Sequence, residues 1–266
     1  MNFKQNRNDV DALLAAHFSG FGKQVQGWRK EFDLHQCVKI GNFIPHALQA
    51  DLHKEARRLL AEKAERRNVK IASTGNTPRS YRSVGRDAIR ATGLVTPALF
   101  HSDTLLMLLS IIAGEKIYRI PYAPEEYIIN NQCGPGDTHG WHWDDYTFAL
   151  IHVVESPNPL SGGRIEYIQN VIWDKMNSEK CVKKALENRL ITSMHVQSGE
   201  TYFMKTNTTL HRISPLTEDS NRIAIIYSFA SEDDLTDPSI EHATMEVIYP
   251  TDTAAHLVQS LGKEIS

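Results

Sequence analysis

Two histidines and two aspartates fall within seven residues in "HGWHWDD", residues 139–145. The cluster follows the turn-forming "NNQCGPGD" and precedes "YTFALIHVV", an apolar, β-branched and aromatic run. It therefore sits where a loop enters a buried strand. Residues i and i+2 of a strand point to one face. His142 and Asp144 should then present an imidazole and a carboxylate together, while Trp143 packs on the other side. His139 is three residues before His142 and falls off that face, so it reads as an outer contact to a metal or to a substrate. A third ligand has to come from a distant strand, and His211 in "TTLHRISPL" is the candidate. Arg222, eleven residues later, opens an otherwise apolar strand. Burying a guanidinium there requires an anion. A dicarboxylate co-substrate supplies one, held in a bidentate fork.

The elements that must position these residues are legible as patterns. In "IPHALQADLHKEARRLLAEKAERR", Leu48, Leu52, Ala56, Leu59 and Leu60 recur at helical spacing, and Pro45 suits the first turn. "KIGNFI" before it reads as a short strand. "LFHSDTLLMLLSIIAG" reads as a second core helix ended by Gly114. The segment 69–93 has weak periodicity and many small polar residues, and reads as a long lid loop. From about residue 116, some eight short strand-like runs are separated by Gly, Pro, Asn or Ser and interrupted by one helix at 172–188. Helices followed by short strands give an α+β class: a double-stranded β-helix (a cupin-like jelly roll) with N-terminal bracing helices. The expected organisation is one domain over 1–266, with a helical part at 1–115, the jelly-roll core at 116–232 and a C-terminal extension at 233–266.

Bulk properties exclude several classes. The 266 residues carry 29 Lys and Arg against 32 Asp and Glu, a net charge of −3. No bulk attraction to nucleic acid or an anionic membrane follows from that balance. Three cysteines without a CxxC pair argue against a disulfide framework and a thiolate metal site. The N-terminus lacks the apolar core of a signal peptide, and "LLMLLSIIAG" is too short to span a bilayer. A cytoplasmic protein with a small-molecule partner is expected, and a homodimer is left open.

Two histidines and one carboxylate on a β-scaffold make the facial triad of non-haem iron(II) oxygenases. HxD, a His some seventy residues on and an Arg about ten beyond resembles the Fe(II)/2-oxoglutarate-dependent dioxygenases. "HGWHWDDYTFALI", "SGGRIEYI" and "HRISPLTEDSNRIAIIYSF" resemble more closely the free-amino-acid halogenase and hydroxylase branch, whose known members act on lysine and similar amino acids. The resemblance covers roughly 40–230. It implies Fe(II) held by His142, Asp144 and His211, with 2-oxoglutarate anchored by Arg222 and O2 as the oxidant. It also implies an N-terminal Arg for the substrate carboxylate, and acids and a His near the HxD for its amines. By position these are Arg79, Glu125, His139 and Asp145. In the family's halogenases a small residue stands at the carboxylate position and chloride fills the vacated site. Here Asp144 fills it, so the resemblance implies hydroxylation of a free basic amino acid, lysine first.

Arg222, Ala224, Ile226 and Ser228 share one face of their strand, taken as inward, which makes Ser228 a candidate substrate contact. Many relatives in the wider superfamily carry Ser two residues after the Arg. Ala224 lacks that hydroxyl, so another must help or Arg222 acts alone. His152 and His195 read as strand histidines with local partners. His17, His35, His46, His53, His101, His242 and His256 lie outside the strand core and are not expected in the site. Three alternatives stay open: the same chemistry on a peptidyl residue or natural product, a cupin-like metal enzyme without 2-oxoglutarate, and a binding module with a vestigial site.

Overall fold

The structure, a computed structural model, describes residues 7–249; the outermost parts of the expected domain, 1–6 and 250–266, lie outside the described residues. Six helices precede the main run of strands: α1 Arg7–Phe18, α2 Gln24–His35, α3 His46–Lys63, α4 Arg86–Thr92, α5 Val95–Phe100 and α6 Asp103–Ala113. In α3 the helically spaced leucines are the buried ones. The stretch expected as a single second helix is two, α5 and α6. The Ser102 hydroxyl accepts from the Leu105 N–H and so starts α6 afresh. Gly114 ends α6 in the left-handed conformation (φ 76°).

The strands are β1 Cys37–Ile40, β2 Glu65–Lys70, β3 Pro78–Val84, β4 Tyr118–Arg119, β5 Tyr127–Gln132, β6 Thr138–His142, β7 Phe148–Glu155, β8 Ile165–Ile168, β9 Thr192–Met194, β10 Thr201–Lys205, β11 Leu210–Ile213 and β12 Arg222–Ala230. They join one antiparallel sheet in the order β1-β10-β7-β12-β5-β3-β6-β11-β8-β9, with β2 added to β3 and β4 to β12. The sheet curls into the expected jelly roll. Alternation along β12 decides what each face does. Ile223, Ile225, Tyr227 and Phe229 point outward into the core shared with the N-terminal helices. Ala224 and Ile226 point inward, beside Ala149, Ile151, Tyr202 and Met204. Each fully buried large apolar side chain contributes roughly 1.5–3 kcal/mol, so the helices brace the outer face and hold the inner one in register.

Three expectations need correction. Segment 69–93 is no loop: it holds the end of β2, a 3-10 turn at Ala72–Thr74, β3 and α4. The buried residues of β3 are Arg79, Tyr81, Ser83 and Val84, while Ser80 and Arg82 are not fully buried. The alternation exists, but its inward members are mostly polar, which hides the strand from a hydrophobic pattern. The helix expected at 172–188 is α7, Ser178–Asn188; residues 172–177 form a strap. The early strand, β1, starts two residues before "KIGNFI" and keeps only its Lys39 and Ile40. A last helix, α8 Ala243–Ile248, lies in the C-terminal extension. No described helix is long and apolar enough to cross a membrane.

Candidate active site

β6 and β11 pair so that His142 stands directly opposite His211. β6 ends at His142, and Asp144 follows two residues later in the turn to β7. His142 Nε2 lies 3.5 Å from Asp144 Oδ1, and His211 Nε2 lies 3.8 Å from Asp144 Oδ2. One ligand atom from each of the three residues falls within 4.8 Å of the others. The second nitrogen of each ring shows what the first is for. His142 Nδ1 is 2.6 Å from the Gly140 carbonyl, and His211 Nδ1 is 2.9 Å from the Thr209 carbonyl. A carbonyl only accepts, so each Nδ1 carries a proton and each ring turns its Nε2 toward Asp144. Burial pushes the His142 pKa well below the usual range, and His139, His211 and Arg79 push the same way. A neutral imidazole with an open Nε2 is the form that binds a metal. The donor set therefore fits a divalent transition metal.

His139 corrects the sequence reading. His142 pairs with His211 but His139 pairs with Ile213, so two residues of β6 oppose one of β11. That β-bulge puts His139 on the face from which a regular strand would exclude it. Its ring stacks on His142 at 4.0 Å and 7°, and its Nε2 is buried with no hydrogen-bond partner. Gly140 permits the bulge to press against the chain before β3. A Cβ there would lie 2.5 Å from Thr77 Oγ1 and 2.6 Å from the Pro78 carbonyl oxygen.

The turn carrying Asp144 and Asp145 is fixed from behind. Asp234, buried, accepts from the Thr147 N–H, the Thr147 hydroxyl and the Ser231 N–H, each at 2.8 Å. Trp143 packs away from the triad, stacked on Trp173 and donating to the Val171 carbonyl.

Two buried arginines line the same cavity, and among the described residues no carboxylate pairs with either. Arg222 makes only long contacts to neutral oxygens, Gln132 Oε1 at 3.5 Å and Tyr202 Oη at 3.4 Å. Tyr202 is the hydroxyl that Ala224 could not supply. Burial pushes its pKa up to about 12, so the phenol keeps its proton. Arg79, 1% exposed, donates to Thr74 Oγ1 at 2.8 Å and leaves Nε unpartnered. A buried cation with neutral partners is a socket for an anion.

Glu125, Asp145 and Ser228 also line this cavity. Burial raises the Glu125 pKa to about 7, and Asp145 and Asp144 add to it. Asp145 accepts from Lys175 Nζ at 2.9 Å. Glu126, in contrast, turns away to pair with Arg86.

Sequence reasoning missed Tyr81, Gln132, Lys175, Tyr202 and His242, all drawn to or beside this cavity. Tyr202 and Met204 alternate inward along β10 and carried a usable period-2 signal. Lys175 sits in the strap read as a helix, and His242 comes from beyond the last strand. Neither has a periodic pattern that would place it.

Residues 22–250 match the family model described as "Halogenase D". The chain belongs to the Halogenase D family. No curated protein matches it. Solved structures resemble it at low identity and share its fold. The non-heme alpha ketoglutarate dependent epimerase SnoN from nogalamycin biosynthesis has a TM-score of 0.58 at 12% identity, over 78% of this chain and 83% of that one. A Trichoplax adhaerens prolyl hydroxylase, solved with a hypoxia inducible factor peptide fragment, has 0.58 at 13% over 83% and 96%. A Pseudomonas putida prolyl-4-hydroxylase has 0.52 at 14% over 78% and 99%.

Proposed function

We propose that this member of the Halogenase D family is an iron(II)- and 2-oxoglutarate-dependent hydroxylase of a free cationic amino acid, lysine first. One observation carries the reading: two histidines whose Nδ1 atoms are tied to carbonyls and whose Nε2 atoms turn to a shared carboxylate line a cavity with two buried, anion-less arginines. His142, Asp144 and His211 would hold the iron. When bound, iron and 2-oxoglutarate supply the O2-dependent oxidation of an unactivated C–H bond. The chain's residues supply the rest. Arg222, with Tyr202 and Gln132 beside it, takes the distal carboxylate of 2-oxoglutarate. Arg79 takes the substrate carboxylate. Glu125 and Asp145 take an ammonium group, and His139 and Ser228 complete the wall.

Two anion sockets fit one dicarboxylate and one amino-acid carboxylate. The acids beyond them fit a second positive charge. Aerobic incubation with free amino acids and 2-oxoglutarate, read by mass spectrometry, should show one added oxygen on lysine or ornithine and none on norleucine. A site built around a buried charge rejects the analogue that leaves it unpaired. Equal turnover of lysine and norleucine would remove Glu125 and Asp145 from this role.

Asp144 supports hydroxylation over halogenation, because its carboxylate occupies a position that chloride would otherwise need. Chlorinated product from the unaltered protein would refute that assignment. Asp144→Gly should lose most hydroxylation. The Asp144→Gly/Asp145→Asn double variant guards against Asp145 moving in as a substitute ligand.

A further inference from the structure

Beyond the triad, one contact has two orphaned atoms and no explanation in the fold. Glu125 Oε2 and His242 Nδ1 stand 3.7 Å apart, too far for a hydrogen bond. Each is buried without a hydrogen-bond partner. Asp145 completes the group, with one ligand atom of each residue within 4.8 Å of the others.

Considerable structure holds His242 in place. Its ring stacks on Tyr122 at 3.7 Å and 8°, and the Tyr146 ring lies 5.6 Å away. Its φ is 54°, a left-handed conformation uncommon for a residue other than glycine. Such conformations persist where the surroundings impose them, often at functional sites. Glu125, Asp145, Thr244 and Met245 line the cavity but His242 does not; its imidazole stands behind Glu125. Asp145 has a counterpart backing. Lys175 Nζ holds it at 2.9 Å while also donating to the Ser239 carbonyl at 2.6 Å. Each of the two cavity carboxylates outside the triad thus has a nitrogen beside it, Lys175 for Asp145 and His242 for Glu125.

We propose that His242 is a positioning residue that selects cationic substrates: its Nδ1 faces Glu125 Oε2 across 3.7 Å and closes to a hydrogen bond as the other Glu125 oxygen meets the substrate's ammonium group. This rests on the reading of the cavity as one for a cationic amino acid. Burial favours the neutral form of Glu125, and His242 acts in the opposite direction. Without the imidazole, Glu125 loses both its orientation and part of its negative charge. An ammonium donates three hydrogen bonds and needs charged acceptors, so the loss should fall on its binding and not on the oxidation step.

The test compares His242→Phe with His242→Asn in the iron- and 2-oxoglutarate-loaded enzyme. Phe keeps a ring against Tyr122 and removes the donor. Asn keeps a donor near the Nδ1 position and tolerates the left-handed backbone. Lysine and norleucine affinities are measured by anaerobic calorimetry, and lysine KM and kcat in air. His242→Phe should raise the lysine Kd and KM about tenfold, change kcat less than about threefold, and leave norleucine binding unchanged. His242→Asn should restore most of the lysine affinity. An unchanged lysine KM in His242→Phe would overturn the inference, as would equal losses for lysine and norleucine with no recovery in His242→Asn. If the unaltered protein bound neither lysine nor ornithine, the ammonium reading of Glu125 and Asp145 would fall and take this inference with it. Failure confined to the His242 variants would leave that reading intact.

Discussion

A pair of histidines meets at each face of the curled sheet, the inner two and His152 buried and His53 half-buried, and the two pairs are chemically opposite. On the outer face His152 of β7 meets His53 of α3, Nε2 to Nε2 at 2.8 Å, and His152 Nδ1 reaches Thr201 Oγ1 at 2.9 Å. One ring donates to the other, so the contact is closed within the protein. On the inner face His142 and His211 approach to 4.1 Å between ring centres, yet their Nε2 atoms do not bond each other. Both Nδ1 atoms are tied to carbonyls, and both Nε2 atoms look toward Asp144. Burial and ring proximity are therefore not what marks a ligand histidine. The mark is a ring nitrogen left without a partner and turned toward a shared carboxylate, which His139 lacks.

Substituting across the two pairs should break this comparison most sharply. His142→Ala should lower iron(II) affinity by about 100-fold or more, since altering even the outer supports of a ligand costs 10–100-fold. Its stability in urea should change little. His152→Ala should do the reverse, losing roughly 1–3 kcal/mol because a buried polar partner is left unsatisfied, with iron affinity and turnover near those of the unaltered protein. Metal titration and urea denaturation of both variants measure the contrast. A large loss of iron binding in His152→Ala would erase the distinction.

Arg222 extends the comparison from lone pairs to charge. Arg222→Ala deletes a buried charge-assisted contact worth roughly 2–5 kcal/mol. The 2-oxoglutarate requirement should rise about 30-fold or more while iron(II) binding stays nearly intact. Unchanged 2-oxoglutarate affinity in a folded variant would place the anchor elsewhere.

A smaller effect concerns acid. Burial, with Arg57 nearby, lowers the His53 pKa to about 4, and burial, with His53 nearby, lowers that of His152 to about 3, both from 6.5. A histidine depressed in the fold takes up its proton first in the unfolded chain. Its contribution to stability is complete above pH 6.5 and is lost as pH falls from there toward 4 and 3. His139 and His142 act in the same direction, so the outer pair is isolated by difference. The urea midpoint should fall less between pH 7 and 4.5 in His53→Gln/His152→Gln than in the unaltered protein. Parallel profiles would show that the outer pair titrates normally.

What the sequence disclosed follows the same physics. His142, Asp144, His211 and Arg222 are legible because an HxD, a distant His and a cation in an apolar strand have few other joint uses, although Asp144 lies just past the end of β6 and not on it. The spacing puts His139 on the wrong face because a bulge is a property of two paired strands, and one strand's sequence does not contain it. β3 reads as a loop because Arg79 and Tyr81 face the cavity and Ser83 meets the Tyr249 hydroxyl, which erases the hydrophobic alternation. The pattern extends α7 six residues too far because nothing in "IWDKMN" reveals that Trp173 stacks on Trp143 and Lys175 reaches Asp145. The helices bracing the outer face were easier to read, since their contacts are apolar and periodic. The jelly roll could be inferred from strand count and turn residues, whereas strand neighbours such as β12 and β5, which place Gln132 beside Arg222, could not.

If the inner histidines and Arg222 together form a site for iron and 2-oxoglutarate, an anaerobic optical titration will show it. Iron(II) and 2-oxoglutarate added to the unaltered protein should produce a weak visible charge-transfer band, which His152→Gln should retain and His142→Gln should lose. No band in the unaltered protein under saturating iron(II) and 2-oxoglutarate, or an undiminished band in His142→Gln, would contradict the account.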